Sequence, residues 1–449
     1  MGAILEAVDV DPAALLALHA ASPELYPALF ESAAAGEPLG RFDILFAHPA
    51  GQLVATTGAA QGFLPALDEW WQRERTAVSN DSRGVPFVGG WLVYLGYELA
   101  GQIEPRLRLP QPIVGPIAQA IRIPAAVVHE HRSSRCWIVA EPSAAALIPR
   151  IAADLRRATR LSDVRRPLVE SAIAEDDPRQ YLQAVQRALD YIGAGDVYQA
   201  NLSRAWRATL RPGVEPHEVY RRLRQTNPGP FSGVALLEGI AVVSSSPERL
   251  VSVHDGVVTT RPIAGTRPRG ADPAADLALA RELHAHPKER AEHVMLIDLE
   301  RNDLGRVCEA GSVHVDELMT IESYAHVHHI VSNVRGRLRA AVTPGNVLAA
   351  VFPGGTITGC PKVRCMEIIA ELEGSARGAY TGSLGYLNRD GSMDMNILIR
   401  SAQLSGRELT LRAGAGIVAD SIPERELAET RAKARGVLRA LGVEEGVQA

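Results

Sequence analysis

From Asp176 onward the chain is a succession of short strand-like runs at hairpin spacing, and this limits its fold more than any other feature. Residues 234–237, 240–244, 250–254 and 256–260 follow one another with only a few residues between them. Asp255-Gly256 is a favoured tight turn joining the last two. Parallel neighbours need a long crossover, so strands this closely spaced pair antiparallel. Further strands are predicted at 197–205, 380–386, 393–401 and 409–418. Helices are predicted from Asp177-Pro178 to about Gly193 and at 277–283, 288–299, 363–372 and 424–441. The expected class is α/β (α+β), with a largely antiparallel sheet and helices packed outside it.

The 449 residues allow two or three domains, or one large composite core. Two regions are expected. Region 1–165 has strand-like pieces at 42–47, 88–94 and 125–129 and an amphipathic helix at 149–160. Region 176–445 carries the regular pattern, after a polar connection. A net charge of -5 with no basic stripe argues against nucleic acid. No apolar run is long enough to span a membrane. The first nine residues lack a cationic, then apolar, signal pattern, so a cytoplasmic location is expected. The four cysteines show no CxxC spacing. Of 47 basic residues only Lys288, Lys362 and Lys433 are lysines. A compact point charge is needed where arginine will not serve, so these three either mark such places or are survivors of arginine bias.

Several segments carry possible chemistry, and each also has an ordinary structural reading. Glu426 and Glu429 share a helix face beyond the glycine-rich strand end at 413–416, with Lys433 four residues further on. Such carboxylates suit Mg2+ or a solvated, ion-paired surface. Glu292 lies near an apolar helical run, where a buried carboxylate needs a partner or a metal. Residues 352–362 place glycines and threonines before a helix start with Lys362, which suits a carboxylate or a plain cap. The P-loop spacing is missing, so no nucleotide is implied. Arg400 ends a mostly apolar run, where a bidentate carboxylate would satisfy it. Glu248 is a possible general acid, and His329 alone is a weak signal.

In this order the segments resemble the chorismate-utilising enzymes, which include anthranilate synthase component I, aminodeoxychorismate synthase component I, isochorismate synthase and salicylate synthase. The carriers are SSSPERL from Ser244, PIAGTRPRG from Pro262, ERAEHVMLIDLERNDLGRV from Glu289, HHIVSNVRG from His328, GGTITGCPKVRCMEII from Gly354, GAYTGSLGYL from Gly378, DMNILIRSA from Asp394 and AGAGIVADSIPERELAETRAKA from Ala413. The earlier third is similar more loosely, through ALFES from Ala28, GRFDILFAHP from Gly40 and VGGWLVYLGYEL from Val88. The resemblance implies a two-layer antiparallel α/β sandwich with the site in its cleft. It implies Mg2+ held by Glu292 and Glu429, with Glu426 beside them, on the ring carboxylate of chorismate. Thr356, Tyr380, Arg400 and the Gly416 backbone would grip the enolpyruvyl carboxylate. Gly265, Gly414, Lys433 and Gln199 would also line the substrate site. Glu248 would be the acid for the departing group, with His329 by the C4 hydroxyl and Thr266 counted with them.

Members that add water carry a lysine base where this chain has Gln199. A neutral amide cannot activate water, whereas ammonia is already a nucleophile, so amination is expected. The residues Tyr198 to Leu202, Thr358 and the segment Pro230-Phe231-Ser232 resemble the type that makes 4-amino-4-deoxychorismate. Against this, Ala264 stands where many of that type have a lysine nucleophile, as it does in anthranilate synthases, which are the alternative. Tryptophan-sensing members read NPSPYM where 227–232 reads NPGPFS, so tryptophan feedback is not expected. No cysteine sits in a nucleophile elbow, so ammonia is expected from a separate glutamine amidotransferase subunit or from solution. An inactive chorismate-binding regulator is the non-enzymatic alternative.

Overall fold

The computed structural model describes residues 2–33, 40–58, 62–77, 84–161, 166–323 and 327–442. Two sheets lie face to face. The larger runs Ile4–Val8, Arg135–Ala140, Ala125–Glu130, Phe42–Ala47, Ala28–Glu31, Phe231–Leu237, Ile240–Ser246, Ser401–Ser405, Glu408–Ile417, Gln199–Thr209 and Gly359–Cys360. The smaller runs Ile263–Pro268, Val327–Arg337, Val257–Thr260, Arg249–His254, Met393–Asn396, Ser383–Asn388, Gly90–Leu95, Ala118–Ile123 and Gly51–Ala55. Neighbouring strands pair antiparallel throughout these two paths, as the hairpin spacing predicts.

Alternation along the strands sends one set of side chains between the sheets and the other outward. Phe46, Val128 and Val242 of the larger sheet meet Leu92, Tyr94 and Leu384 of the smaller. The outer face of the larger sheet is covered by the helices Ala13–Ala21, Ile148–Arg157, Pro216–Thr226 and Pro423–Ala440. Phe63–Glu74, Pro287–Gly305 and Pro344–Val351 cover the smaller sheet. No helix among the described residues is long and apolar enough to cross a membrane.

The regions 1–165 and 176–445 interleave in both sheets. Glu31 pairs with Ser232 in the larger, and Leu95 pairs with Ser383 in the smaller. The limits at 165 and 445 lie outside the described residues. Three local expectations change. Residues 393–401 are not one strand: Met393–Asn396 belongs to the smaller sheet and Ser401–Ser405 to the larger. The strand expected at 380–386 starts at Ser383 because residues 379–382 form a turn. Val294, expected on the apolar side of its helix, is 48% exposed.

Candidate active site

The site is built where the chain changes sheets. One passage leaves the larger sheet at Ser246 and enters the smaller at Arg249; another leaves the smaller at Asn396 and returns at Ser401. Such corners break the ladder and turn side chains out of the two-residue alternation. Pro247 sits in the first, where its missing N–H costs nothing. Arg400 sits in the second, with a left-handed backbone at φ 51°. The corners run side by side, since Ile397 N–H donates to the Glu248 carbonyl at 3.0 Å and Ser245 N–H to that of Arg400 at 3.2 Å. A third segment joins through Leu398, whose N–H donates to the Gly382 carbonyl at 2.8 Å; it brings in Tyr380.

Glu248 is 5% exposed, and its Oε1 accepts a hydrogen bond from the Thr356 hydroxyl at 2.7 Å. Burial pushes its carboxyl up to about 7, against the opposing pull of Thr356, Lys433 and Arg400. It is therefore an acid poised near neutrality. His329 is also buried. Its Nδ1 lies 3.1 Å from the Gly265 carbonyl and 3.0 Å from the Thr266 hydroxyl. A carbonyl can only accept, so Nδ1 carries the proton. Burial, and then Arg400, pushes the imidazole down to about 3, so it is neutral. Gly265 has φ 65° and marks the register shift between Ala264 and Thr266 that delivers this carbonyl.

The floor is the pair Gln199–Thr209 and Glu408–Ile417, in register with Asn201 opposite Gly416 and Ser203 opposite Gly414. A Cβ on Gly416 would stand 2.2 Å from Gln199 Nε2, and one on Gly414 would stand 2.7 Å from the Tyr380 hydroxyl. Gly414, whose Cβ would also meet the Leu202 carbonyl at 2.7 Å, is required by close approach, whereas at Gly416 the neighbour is the end of the Gln199 side chain. Gln199 and Asn201 are each 7% exposed, yet Gln199 Oε1 and Asn201 Oδ1 accept no hydrogen bond from the described residues. Such orphaned acceptors are uncommon and point to a ligand. The loop carrying Thr356 is tied to this floor, with Asn201 N–H donating to the Thr358 carbonyl at 2.9 Å. Beneath it, buried Glu373 joins Arg377 at 2.7 Å and Arg412 at 2.8 Å. Arg377 also donates to the carbonyls of Ile357 and Asn201 and lies 5.5 Å from the centre of the Tyr380 ring. This network locks loop, floor and Tyr380 together.

Lys362 does not contribute an available charge. Its Nζ is buried 2.5 Å from Asp303 and 3.2 Å from the Val351 carbonyl, so its charge serves the fold. Lys433 does face the site, donating to the Gly414 carbonyl at 3.0 Å and pairing with Glu429 at 2.7 Å. Lys288 lies 3.9 Å from Glu292. All three lysines thus meet acids in or beside this site.

Glu292 projects from Pro287–Gly305, and Glu426 and Glu429 from Pro423–Ala440. The first helix is seated by its next residue, His293, whose Nε2 is 2.7 Å from the Ser332 hydroxyl. Burial, Glu289, Glu426 and Glu429 push Glu292 up to about 7, Lys288 opposing. Burial and Glu429 push Glu426 up. Three oxygen donors in one under-neutralised acidic field fit a hard divalent cation. Their ligand atoms are not drawn within 4.8 Å of one another; the described residues show that convergence at Asp43, His129 and His131. That second group escaped the sequence reading, although two histidines spaced two apart at a strand end, His129 and His131, are a usable signal. Part of segment 227–232 lines a separate pocket between the sheets, with Phe30, Ser32 and Asp394.

Comparison with known proteins fits this geometry. Residues 26–439 match the family described as chorismate binding enzyme. An anthranilate synthase component I-like protein of Synechocystis is 43% identical over 370 residues, 81% of this chain and 75% of its own. The aminodeoxychorismate synthase component 1 of Bacillus subtilis is 39% identical, over 85% of this chain and 83% of its own. Among solved structures, anthranilate synthase component I of Streptococcus pneumoniae TIGR4 superposes with a TM-score of 0.78 at 31% identity. That superposition covers 90% of this chain and 93% of the other. The menaquinone-specific isochorismate synthase of Escherichia coli shares the fold, with a TM-score of 0.74 at 19% identity over 98% and 94% of the two chains. With its matched segment spanning the paired sheets, the corner residues and both flanking helices, the chain belongs to the chorismate-binding enzyme family.

Proposed function

We propose that this protein aminates chorismate with ammonia to give 4-amino-4-deoxychorismate, in a Mg2+-dependent reaction. The observation that carries the choice of nucleophile is Gln199. A neutral amide, not a cationic base, lies over Gly416, and its buried Oε1 is left to accept a hydrogen bond. An amide oxygen can orient the N–H of ammonia but cannot deprotonate water. The substrate is a dianion. Arg400, Tyr380, Thr356 and the Gly416 backbone hold the enolpyruvyl carboxylate, while Gly265, Gly414 and Lys433 complete the lining. Glu292, Glu429 and Glu426 would hold Mg2+, which supplies charge neutralisation at the ring carboxylate when bound. Glu248 gives its proton to the departing hydroxyl as the C–N bond forms, and the added nitrogen sheds one in turn. Neutral His329, beside Thr266, orients that hydroxyl.

Ortho amination to anthranilate is the second reading. Ala264 favours it, and so do the names of several relatives. Product analysis with chorismate, Mg2+ and an ammonium salt separates the two. A product that an added lyase converts to 4-aminobenzoate is expected; direct release of anthranilate would establish the ortho route. No turnover at all would leave a binding protein. Ammonia would come from a separate glutamine amidotransferase subunit or from solution; burial pushes all four thiols of this chain up, away from the activated thiolate that glutamine hydrolysis needs.

The role of Gln199 has its own test. Gln199→Lys places an amine at the floor of the site and is expected to yield isochorismate from water, detectable by chromatography. A variant that still gives only the aminated product would remove Gln199 from the choice of nucleophile.

A further inference from the structure

Far along the larger sheet, Phe42–Ala47 pairs with Ala125–Glu130, and Asp43 stands directly opposite His129. Directly opposed residues of an antiparallel pair share a face. His131 lies in the turn just past the end of its strand at Glu130, and its ring reaches the same carboxylate. Asp43 Oδ2 lies 3.0 Å from His129 Nδ1 and 2.8 Å from His131 Nε2. All three ligand atoms lie within 4.8 Å of one another. The other Asp43 oxygen accepts the Ser32 N–H at 3.1 Å, which fixes the carboxylate's orientation. Asp43 and His129 are buried, while the His131 side chain is 29% exposed and leaves a way in from solvent. Cys136 stands opposite His129 on the next strand, and Glu31 beside the group is held by Arg224 at 2.8 Å.

We propose that Asp43, His129 and His131 form a binding site for a divalent transition ion of the zinc class, separate from the carboxylates of the chorismate site. Two imidazoles and one carboxylate are a borderline-soft donor set, which selects Zn2+ or Co2+ over Mg2+. Three protein ligands leave a fourth position for water on the exposed side. Without an ion, Asp43 accepts from both rings. On binding, each ring turns a lone pair to the metal and its N–H proton moves to the other nitrogen or to solvent. Affinity therefore falls as pH drops. Bound metal would tie Asp43 of one strand to the histidines at the end of its neighbour, at the level of Ser32, and so raise stability.

The test titrates Co2+ into the whole protein in excess Mg2+, which keeps the hard-ion site filled. One equivalent per chain is expected, with a visible ligand-field absorption and a raised Tm. His131→Ala, at a half-exposed position, is expected to lose both signals while keeping wild-type chorismate turnover in Mg2+. Asp43→Asn should lose them as well; should it fail to fold, His131→Ala decides. A Co2+ signal that survives in His131→Ala, or none in the wild type, would overturn the site and leave a hydrogen-bonded Asp–His clamp.

Discussion

Glu248→Gln is expected to lower chorismate turnover by on the order of 10^2 to 10^4-fold, the usual worth of a general acid, with little change in KM. The same variant is expected to be more stable than wild type at about pH 8. Both effects come from one placement. The sheet-switching corner buries the carboxyl and gives it the Thr356 hydroxyl and the Ile263 N–H as donors. Burial raises its pKa to about 7 from 4.5. The folded state thus holds the proton more tightly than the unfolded chain. The favourable contribution is complete below the unfolded pKa and is lost as pH rises through about 7. Above that, wild type bears a buried negative charge, a cost on the order of 1–3 kcal/mol. Glutamine keeps an acceptor for Thr356 and removes the charge. Denaturation curves across this range should therefore flatten in Glu248→Gln. At constant free ammonia, wild-type turnover should fall as pH passes about 7. A variant with near-wild-type turnover would exclude Glu248 as the proton donor.

How much of this could be read from the sequence follows from what local pattern encodes. Two-residue alternation and tight turns identify strands and make them antiparallel. They do not say which strand lies next to which, so the pairings of Glu31 with Ser232 and Leu95 with Ser383 were not visible. The apolar run through 393–401 reads as one strand because its alternation continues across the corner. Only the left-handed backbone at Arg400 marks the switch, and a non-glycine residue gives no warning of it. Motif order located Glu248, Thr356 and His329, which the fold does bring together around Arg400 and Lys433. It could not say that Lys362, beside the same loop, is consumed by Asp303, because that acid lies 59 residues away in sequence. The Asp43 group was missed for a similar reason: Asp43 and His129 sit on separate strands 86 residues apart.

Glu292→Gln and Glu429→Gln are each expected to lower Mg2+-dependent turnover by on the order of 10^2-fold or more, as loss of a major electrostatic group does. Glu292 carries the sharper prediction. Partial burial and the acids Glu289, Glu426 and Glu429 push its pKa to about 7, so near neutrality it competes with itself between proton and cation. Mg2+ needs the deprotonated form, and wild-type affinity for the ion should therefore strengthen as pH rises through about 7. Removing that carboxyl should weaken Mg2+ binding and reduce this pH dependence to the part that Glu426 carries. Glu429 is already paired with Lys433 at 2.7 Å, so its loss should weaken binding and also free Lys433 from the acid. Calorimetric Mg2+ titrations at about pH 6 and about pH 8 would separate the two. Wild type should differ between those pH values by more than Glu292→Gln, in which only the raised Glu426 still exchanges a proton for the ion. If Glu292→Gln binds Mg2+ like wild type and turns over normally, Glu292 does not hold the metal, and Glu429→Gln then decides whether the other helix does.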